Sequence, residues 1–489
     1  MKLVNRAMHG SVASEERWSR RSIWMLGCFA AAVVVMGGGS RYDVASVPFL
    51  RAFAIFLTFA LVAIMPPSNW RGLRLPLALI LMLALWMVIQ LLPLPTEIWS
   101  TLPLRAPIFA MDQLLSAPDR WRPISLSPAF TWNSLLSLCV PLGAILIAGI
   151  VPAGERIRIW WTIWACALAS AAFGMLQFVA GPRSVFYLFR ITNEGALVGL
   201  FANRNHHAVL LAIGILAAGW LVANEAARRN PKPLLIPALI GSIVTFLLLI
   251  FAIGSRTGLV CGMAGALLAY AVIRRSYRSK QSLIIQRRNK QRVRQAAAAR
   301  SEHLKRGLFA VIPFFSIGAL TALFYLSDRG NSVTRLFGSD TAEDGRVQTF
   351  APILSLLKEQ WLLGSGFGSF ARVYQIVEPD ELLQEAYLNH AHNDWLQLPI
   401  EGGLPGALIF MVGILWICFQ LVQSSRSRSG REGRKTAEVW VLAAAFMVLA
   451  VGSMTDYPLR APSMAMVAMF LIVILIRHRE DVSDSGPPS

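Results

Sequence analysis

The sequence predicts an all-α, polytopic integral membrane protein with about 12 transmembrane helices and one large periplasmic loop late in the chain. Three observations carry that prediction. Of 489 residues, 55% are hydrophobic and 15% charged, with a mean hydropathy of +0.54, whereas a soluble domain is closer to a quarter charged. Runs of about 20 mostly apolar residues, the length that crosses a hydrocarbon core, recur along the chain. Basic residues collect in alternate connections between those runs, as the positive-inside bias requires.

The runs fall at roughly 22–39, 48–65, 75–92, 133–151, 158–180, 206–223, 234–253, 257–273, 307–326, 396–422, 437–455 and 459–476. The first follows Arg17, Arg20 and Arg21 without a convincing small-residue cleavage site, so it reads as a retained signal anchor. Residues 1–21 are then cytoplasmic. The same face holds Arg71 and Arg74, Arg156 and Arg158, Arg228 and Arg229, Arg426 to Lys435, and the tail 477–489. The connection 274–306 is extreme, with twelve bases against Glu302. Together with a net charge of +19, a soluble protein would suggest nucleic acid; here the run reads as a topology determinant facing anionic membrane lipid, with no nucleic acid partner. Cys28, Cys139, Cys166, Cys261 and Cys418 lie singly in apolar runs, so neither a disulfide framework nor a zinc site is expected.

Spans one to nine occupy 22–326 and spans ten to twelve 396–476, leaving 327–395 as the large periplasmic loop. That loop carries ten acids against five bases. Within it, 351–360 reads as a short amphipathic helix and GSGFGSF at 364–370 as a turn returning to the membrane surface. Long loops on a rigid scaffold concentrate function. The other long outer connection, 93–132, is rich in proline and tryptophan, and Trp99, Trp121, Trp132, Trp361 and Trp395 could stack on sugar rings or form an interfacial belt.

The stretch 387–410, YLNHAHNDWLQLPIEGGLPGALIF, closes the loop. It gathers His390, His392, Asn393, Asp394, Gln397 and Glu401 at the mouth of the tenth span. If 395–401 is already helical, His392, Trp395, Leu396 and Pro399 share one face. Three arginines accompany it on the outer side. Arg256 sits in a very short turn between two spans, where charge is expensive and marks a ligand or pathway; Arg346 opens the short loop helix; Arg204, beside Asn205, starts the sixth span. Guanidinium forks suit a pyrophosphate, and a histidine can take a proton from an attacking hydroxyl. The combination fits displacement of a lipid pyrophosphate from a sugar. A transporter or flippase for a lipid-linked glycan is the alternative, but its polar groups should spread across the midplane and here they collect at one face. No G-x-S-x-G or H-E-x-x-H motif is present, and no cofactor or metal is expected.

These residues resemble the O-antigen ligase and O-antigen polymerase superfamily of bacterial envelope glycosyltransferases. The ligase signature is a histidine followed by Asn, Ser or Gln, nine residues, then Gly-x-x-Gly; His392, Asn393, residues 394–402 and Gly403 to Gly406 fit it. GSRTGL around Arg256, FANRN at 201–205 and DGR with Arg346 are similar to family segments. The resemblance implies a multi-pass protein of the bacterial inner membrane with a periplasmic active face, moving a glycan from an undecaprenyl-pyrophosphate carrier to lipid A core or a growing glycan. It implies His392 as base and Arg256 and Arg346 on the donor pyrophosphate, with Arg204, Asn205, His390, Asn393 and Glu401 as further substrate contacts. The choice of His392 over His390 rests at this point on the motif.

Overall fold

A computed structural model bears out the all-α, polytopic membrane architecture. It describes residues 2–64, 70, 72–181, 183–189, 195–232, 234–288, 341–383, 387–426 and 432–483. The expected ninth span at 307–326, the basic connection beyond 288, the loop start at 327–340, Arg71 and the Arg346 side chain lie outside what is described.

The helices are α1 (Lys2–Met36), α2 (Val47–Ile64), α3 (Arg74–Leu91), α4 (Thr96–Trp99), α5 (Ala106–Leu114), α6 (Pro128–Ser137), α7 (Cys139–Gly149), α8 (Ile157–Ala180), α9 (Arg204–Ala226), α10 (Leu235–Ile253), α11 (Arg256–Arg288), α12 (Thr341–Gln360), α13 (Phe370–Val377), α14 (Asp394–Arg426), α15 (Glu432–Thr455) and α16 (Pro462–Ser483). Among the described residues, ten helical stretches are long and apolar enough to cross a membrane, and Val47–Ala63 is a shorter apolar helix. The helical state follows from the apolar runs themselves, because in lipid the backbone must satisfy its hydrogen bonds within the segment. The described sheet is one short antiparallel pair, Pro93–Leu94 against Arg122–Pro123. Beside it Trp99 is buried and donates to the Pro123 carbonyl at 2.8 Å, so this tryptophan holds the outer connection together and offers no free face to a sugar.

The chain forms two compact units, one of residues 1–162, 341–427 and 449–489, the other of 163–340 and 428–448. In the first, α14 is broken. Gly403 has φ 61° and ψ −163°, a conformation open essentially to glycine alone. The break frees carbonyls inside an apolar span, and each finds a donor. Ser365 N bonds to Ile400 O at 2.9 Å, Gly366 N and Gln90 Nε2 to Glu401 O at 3.0 and 2.9 Å, and Trp86 Nε1 to Gly402 O at 2.7 Å. Trp86 and Gln90 are four apart on α3 and so share a face. The GSGFGSF turn reaches this site because Gly364, Gly366 and Gly368 all take positive φ. A Cβ on Gly403 would lie 2.5 Å from the Leu363 carbonyl carbon and 2.6 Å from the Gly364 nitrogen, so the two backbones meet without side chains between them.

In the second unit, α9 and α11 pack in parallel. Glycines set their spacing: a Cβ on Gly258 would strike Ala208, one on Gly219 would strike Ala269, and Gly265 faces Ala212 and Leu216. Ser276 Oγ donates to the Ala223 carbonyl at 2.8 Å. The offset between partners stays near fifty residues, so Arg204 and Arg256, the first residues of the two helices, stand at the same end of the pair. α10 returns the chain between them through Gly254, which caps it in the left-handed conformation at φ 69°.

Candidate active site

The loop before α14 is shaped by local chemistry. His392 has φ 49°, a left-handed conformation uncommon for a side-chain-bearing residue. It therefore stands outside the helix and not on the face of Trp395, Leu396 and Pro399, which corrects that expectation. Asn393 is the helix cap: its Oδ1 accepts from Trp395 N at 3.0 Å and Leu396 N at 3.3 Å. Thus the Asn of the motif starts the helix and turns His392 away from it.

Gln397, fully buried, arranges the next residues. Its Oε1 accepts from Ala391 N at 2.9 Å, and its Nε2 donates to Glu401 Oε1 at 2.9 Å and to His390 Nδ1 at 3.1 Å. A backbone N–H on one side and a carboxylate on the other fix which end of the amide is which. His390 Nδ1 is consequently an acceptor, and the ring proton of its neutral form sits on Nε2. His392 is set the other way. Its Nδ1 lies 3.3 Å from Asp456 Oδ1, which places the ring proton on Nδ1 and the lone pair on Nε2. Asp456 is buried at the end of α15 and the same oxygen accepts from Tyr457 N at 3.0 Å. Both imidazoles lean on the Tyr457 ring, with centroids 4.0 Å away for His390 and 5.1 Å for His392.

Arg460 completes the cluster from the same short connection. Its Nε donates to Asp394 Oδ1 and its Nη1 to Glu401 Oε2, both at 3.0 Å. Asp394 and Glu401 are seven apart, two turns along one face of α14. Burial alone would lower the Arg460 pKa, but Glu401 and Asp394 outweigh it and raise it above the ordinary arginine value, so the guanidinium stays charged. Glu401 is fully buried and also accepts from Phe370 N at 3.2 Å. Three protein donors hold its carboxylate, from Phe370, Gln397 and Arg460, so Glu401 ties the helix entrance to its surroundings.

His390, His392, Asn393 and Glu401 thus come together in the first unit. Arg346 lies on α12, in the second turn and not at its opening, because the helix starts at Thr341. In the second unit, Asn203 caps α9 and accepts from Asn205 N at 2.8 Å, leaving Arg204 as the first helical residue. Arg256 is exposed and follows a two-residue turn in which Ser255 Oγ accepts from Gly258 N at 3.2 Å. Sequence reasoning missed Asp456, Tyr457 and Arg460. The available signal was DYPLR, an acid, a tyrosine and a base packed into the connection between two apolar runs.

Fold and site define a polytopic membrane protein with a histidine and carboxylate pair held at the mouth of a broken transmembrane helix. Residues 241–411, about a third of the chain, match the model of a family described as O-antigen ligase. The matched span contains Arg256 and the whole histidine motif; Arg204, Asp456 and Arg460 lie beyond it. The match supports a glycosyltransferase-type membrane enzyme with a role in O-antigen assembly. No curated protein matches the chain significantly.

Proposed function

We propose that the protein moves a glycan from undecaprenyl pyrophosphate to an acceptor hydroxyl at the periplasmic face of the inner membrane, with His392 as the general base. The observation that carries this reading is the pairing of His392 Nδ1 with Asp456. A buried carboxylate holding one ring nitrogen leaves Nε2 as a proton acceptor and stabilises the imidazolium that forms, the logic of base and orienting acid in hydrolytic triads. His390 carries its proton on Nε2 and serves as a donor beside it.

The acceptor O–H proton passes to His392 Nε2 as the oxygen bonds to the anomeric carbon. The bond from that carbon to the pyrophosphate oxygen breaks, and the lipid pyrophosphate leaves with the electron pair. By the resemblance, Arg256 and Arg346 meet the charge on the leaving group, with Arg204 and Asn205 as further substrate contacts. The alternative, a transporter or flippase of lipid-linked glycan, draws some support from the broken helix α14. In such proteins the freed carbonyls coordinate ions, whereas here those of Ile400, Glu401 and Gly402 are taken by protein donors.

The test is the envelope polysaccharide profile of a null strain carrying wild type, His392→Ala or Arg256→Ala. Loss of the ladder on lipid A core with free lipid-linked polymer retained identifies a ligase; accumulation of single repeat units identifies a polymerase. Wild-type profiles from both variants, with the proteins present in the membrane, would sink the proposal.

A further inference from the structure

A cavity of about 320 Å³ opens in the first unit beside His390, between α2, α6, α13 and the loop that precedes α14. Its size is at the lower end of small-molecule sites, room for a short saccharide end but not for a polymer. Four arginines line it, Arg41, Arg51, Arg372 and Arg460, against one acid, Asp394. Two of those charges are matched. Arg460 serves Asp394 and Glu401, and Arg41 donates to Asp43 at 3.0 and 3.1 Å.

The other two meet neutral groups. Arg51 donates from Nη1 to Asn133 Oδ1 at 2.8 Å, and Arg372 lies over the Phe130 ring at 5.8 Å with a long contact to Gln375 Oε1. Among the described residues neither guanidinium meets a carboxylate. Phe130 and Asn133 are three apart on α6 and therefore neighbours on one face. Two positive charges that meet no described carboxylate thus stand at the wall of the same cavity, the Arg372 end open to solvent, and an anion held between them would lower the energy of both. Guanidinium forks grip phosphate or carboxylate oxygens in pairs. Tyr42, edge-on to Phe130 at 4.9 Å, and Tyr387 add aromatic surface at the same wall.

We propose that this cavity, lined by His390 next to the base, is a subsite for the part of the acceptor adjoining its reacting hydroxyl and that it takes an anionic sugar, one bearing a phosphate or a carboxylate held by Arg51 and Arg372. The proposal rests on the transferase reading above, and it can be tested apart from it by binding alone. Full-length protein in neutral detergent is titrated with glucose 6-phosphate, glucuronate, glucose and phosphatidylglycerol micelles. The two charged sugars should bind saturably and at least tenfold more tightly than glucose. Arg51→Gln and Arg372→Gln should each weaken them at least tenfold at an unchanged melting midpoint, and Arg372→Lys should lose less than Arg372→Gln. Equal binding of glucose, unchanged binding by folded Gln variants, or binding of phosphatidylglycerol without either sugar would each overturn it, the last by assigning the cavity to a lipid headgroup. If His392→Ala still transfers glycan while the sugars bind, the function fails and the subsite stands; if His392→Ala is inactive and the sugars do not bind, the subsite alone fails.

Discussion

Replacing Asp456 separates two contributions that the carboxylate makes. Its Oδ1 accepts from both His392 Nδ1 at 3.3 Å and the Tyr457 backbone N–H at 3.0 Å. In Asp456→Asn the backbone N–H still demands an oxygen at that position, so the amide keeps its carbonyl toward His392 and its NH₂ away. The imidazole then retains its proton on Nδ1 and its lone pair on Nε2. What is lost is the charge of the acceptor. A hydrogen bond to an ionised group contributes about 1.5–3 kcal/mol against about 1 for a neutral one, so the difference is about 0.5–2 kcal/mol. At about 1.4 kcal/mol per factor of ten, transfer should slow roughly 2- to 30-fold. Asp456→Ala removes orientation as well and should fall by at least about 100-fold, the lower range for losing a positioned base. The assay is transfer by purified variants from an undecaprenyl-pyrophosphate glycan to acceptor, read on gels against time. Rates for both variants equal to wild type, or an Asn variant slower than the Ala variant, would refute the reasoning, the second because it means that the amide turns and traps the wrong tautomer.

Two further predictions concern stability. Gly403→Ala places a Cβ where φ is +61° and where Leu363 and Gly364 backbone atoms stand within 2.6 Å; the conformation alone costs about 1–3 kcal/mol, and any shift breaks the bonds to Gln90 and Trp86. A clear drop in the thermal midpoint in detergent is expected, whereas Gly413→Ala on the same helix, where the nearest atom is Leu79 Cδ1 at 3.6 Å, should leave it unchanged or raised by the smaller entropy of the unfolded chain. Similar midpoints for the two variants would remove the constraint claimed for the break. Asp112 accepts from Arg122 at 2.5 and 2.6 Å, and the bond to this guanidinium lowers its pKa below the usual carboxylate value. Because the folded pKa is the depressed one, the stabilisation is complete above the ordinary carboxylate pKa of about 3.9 and is lost as pH falls below it. The midpoint difference between wild type and Asp112→Asn should be constant near neutral pH and shrink below about pH 4; a difference independent of pH would contradict this.

Much of the scaffold was legible because lipid leaves few choices. An apolar run of the right length must be helical, so eleven of the expected spans reappear as apolar helices among the described residues, one of them as the shorter Val47–Ala63. The helix break was partly legible in GGLPG, where glycines interrupt such a run. What escaped was pairing across distance. Asp456 lies 64 residues from His392, and Arg460 lies 66 from Asp394 and 59 from Glu401. Nothing in a linear pattern says that a polar connection between spans is folded inward against another span's entrance. Asn393 and Glu401 were singled out by sequence as substrate contacts; the structure gives them helix-capping and ion-pairing duties, which demand the same polar residue types for a different physical reason.

The connection from Asp456 to Arg460 holds both anchors of the site within five residues. One end fixes the imidazole, the other fixes two turns of the helix that carries the motif. Imidazole and helix mouth are therefore ruled by a single length of backbone, and its residue count is as much a specification as its chemistry. One residue added between Asp456 and Arg460 would leave every functional group in place by name and none by position.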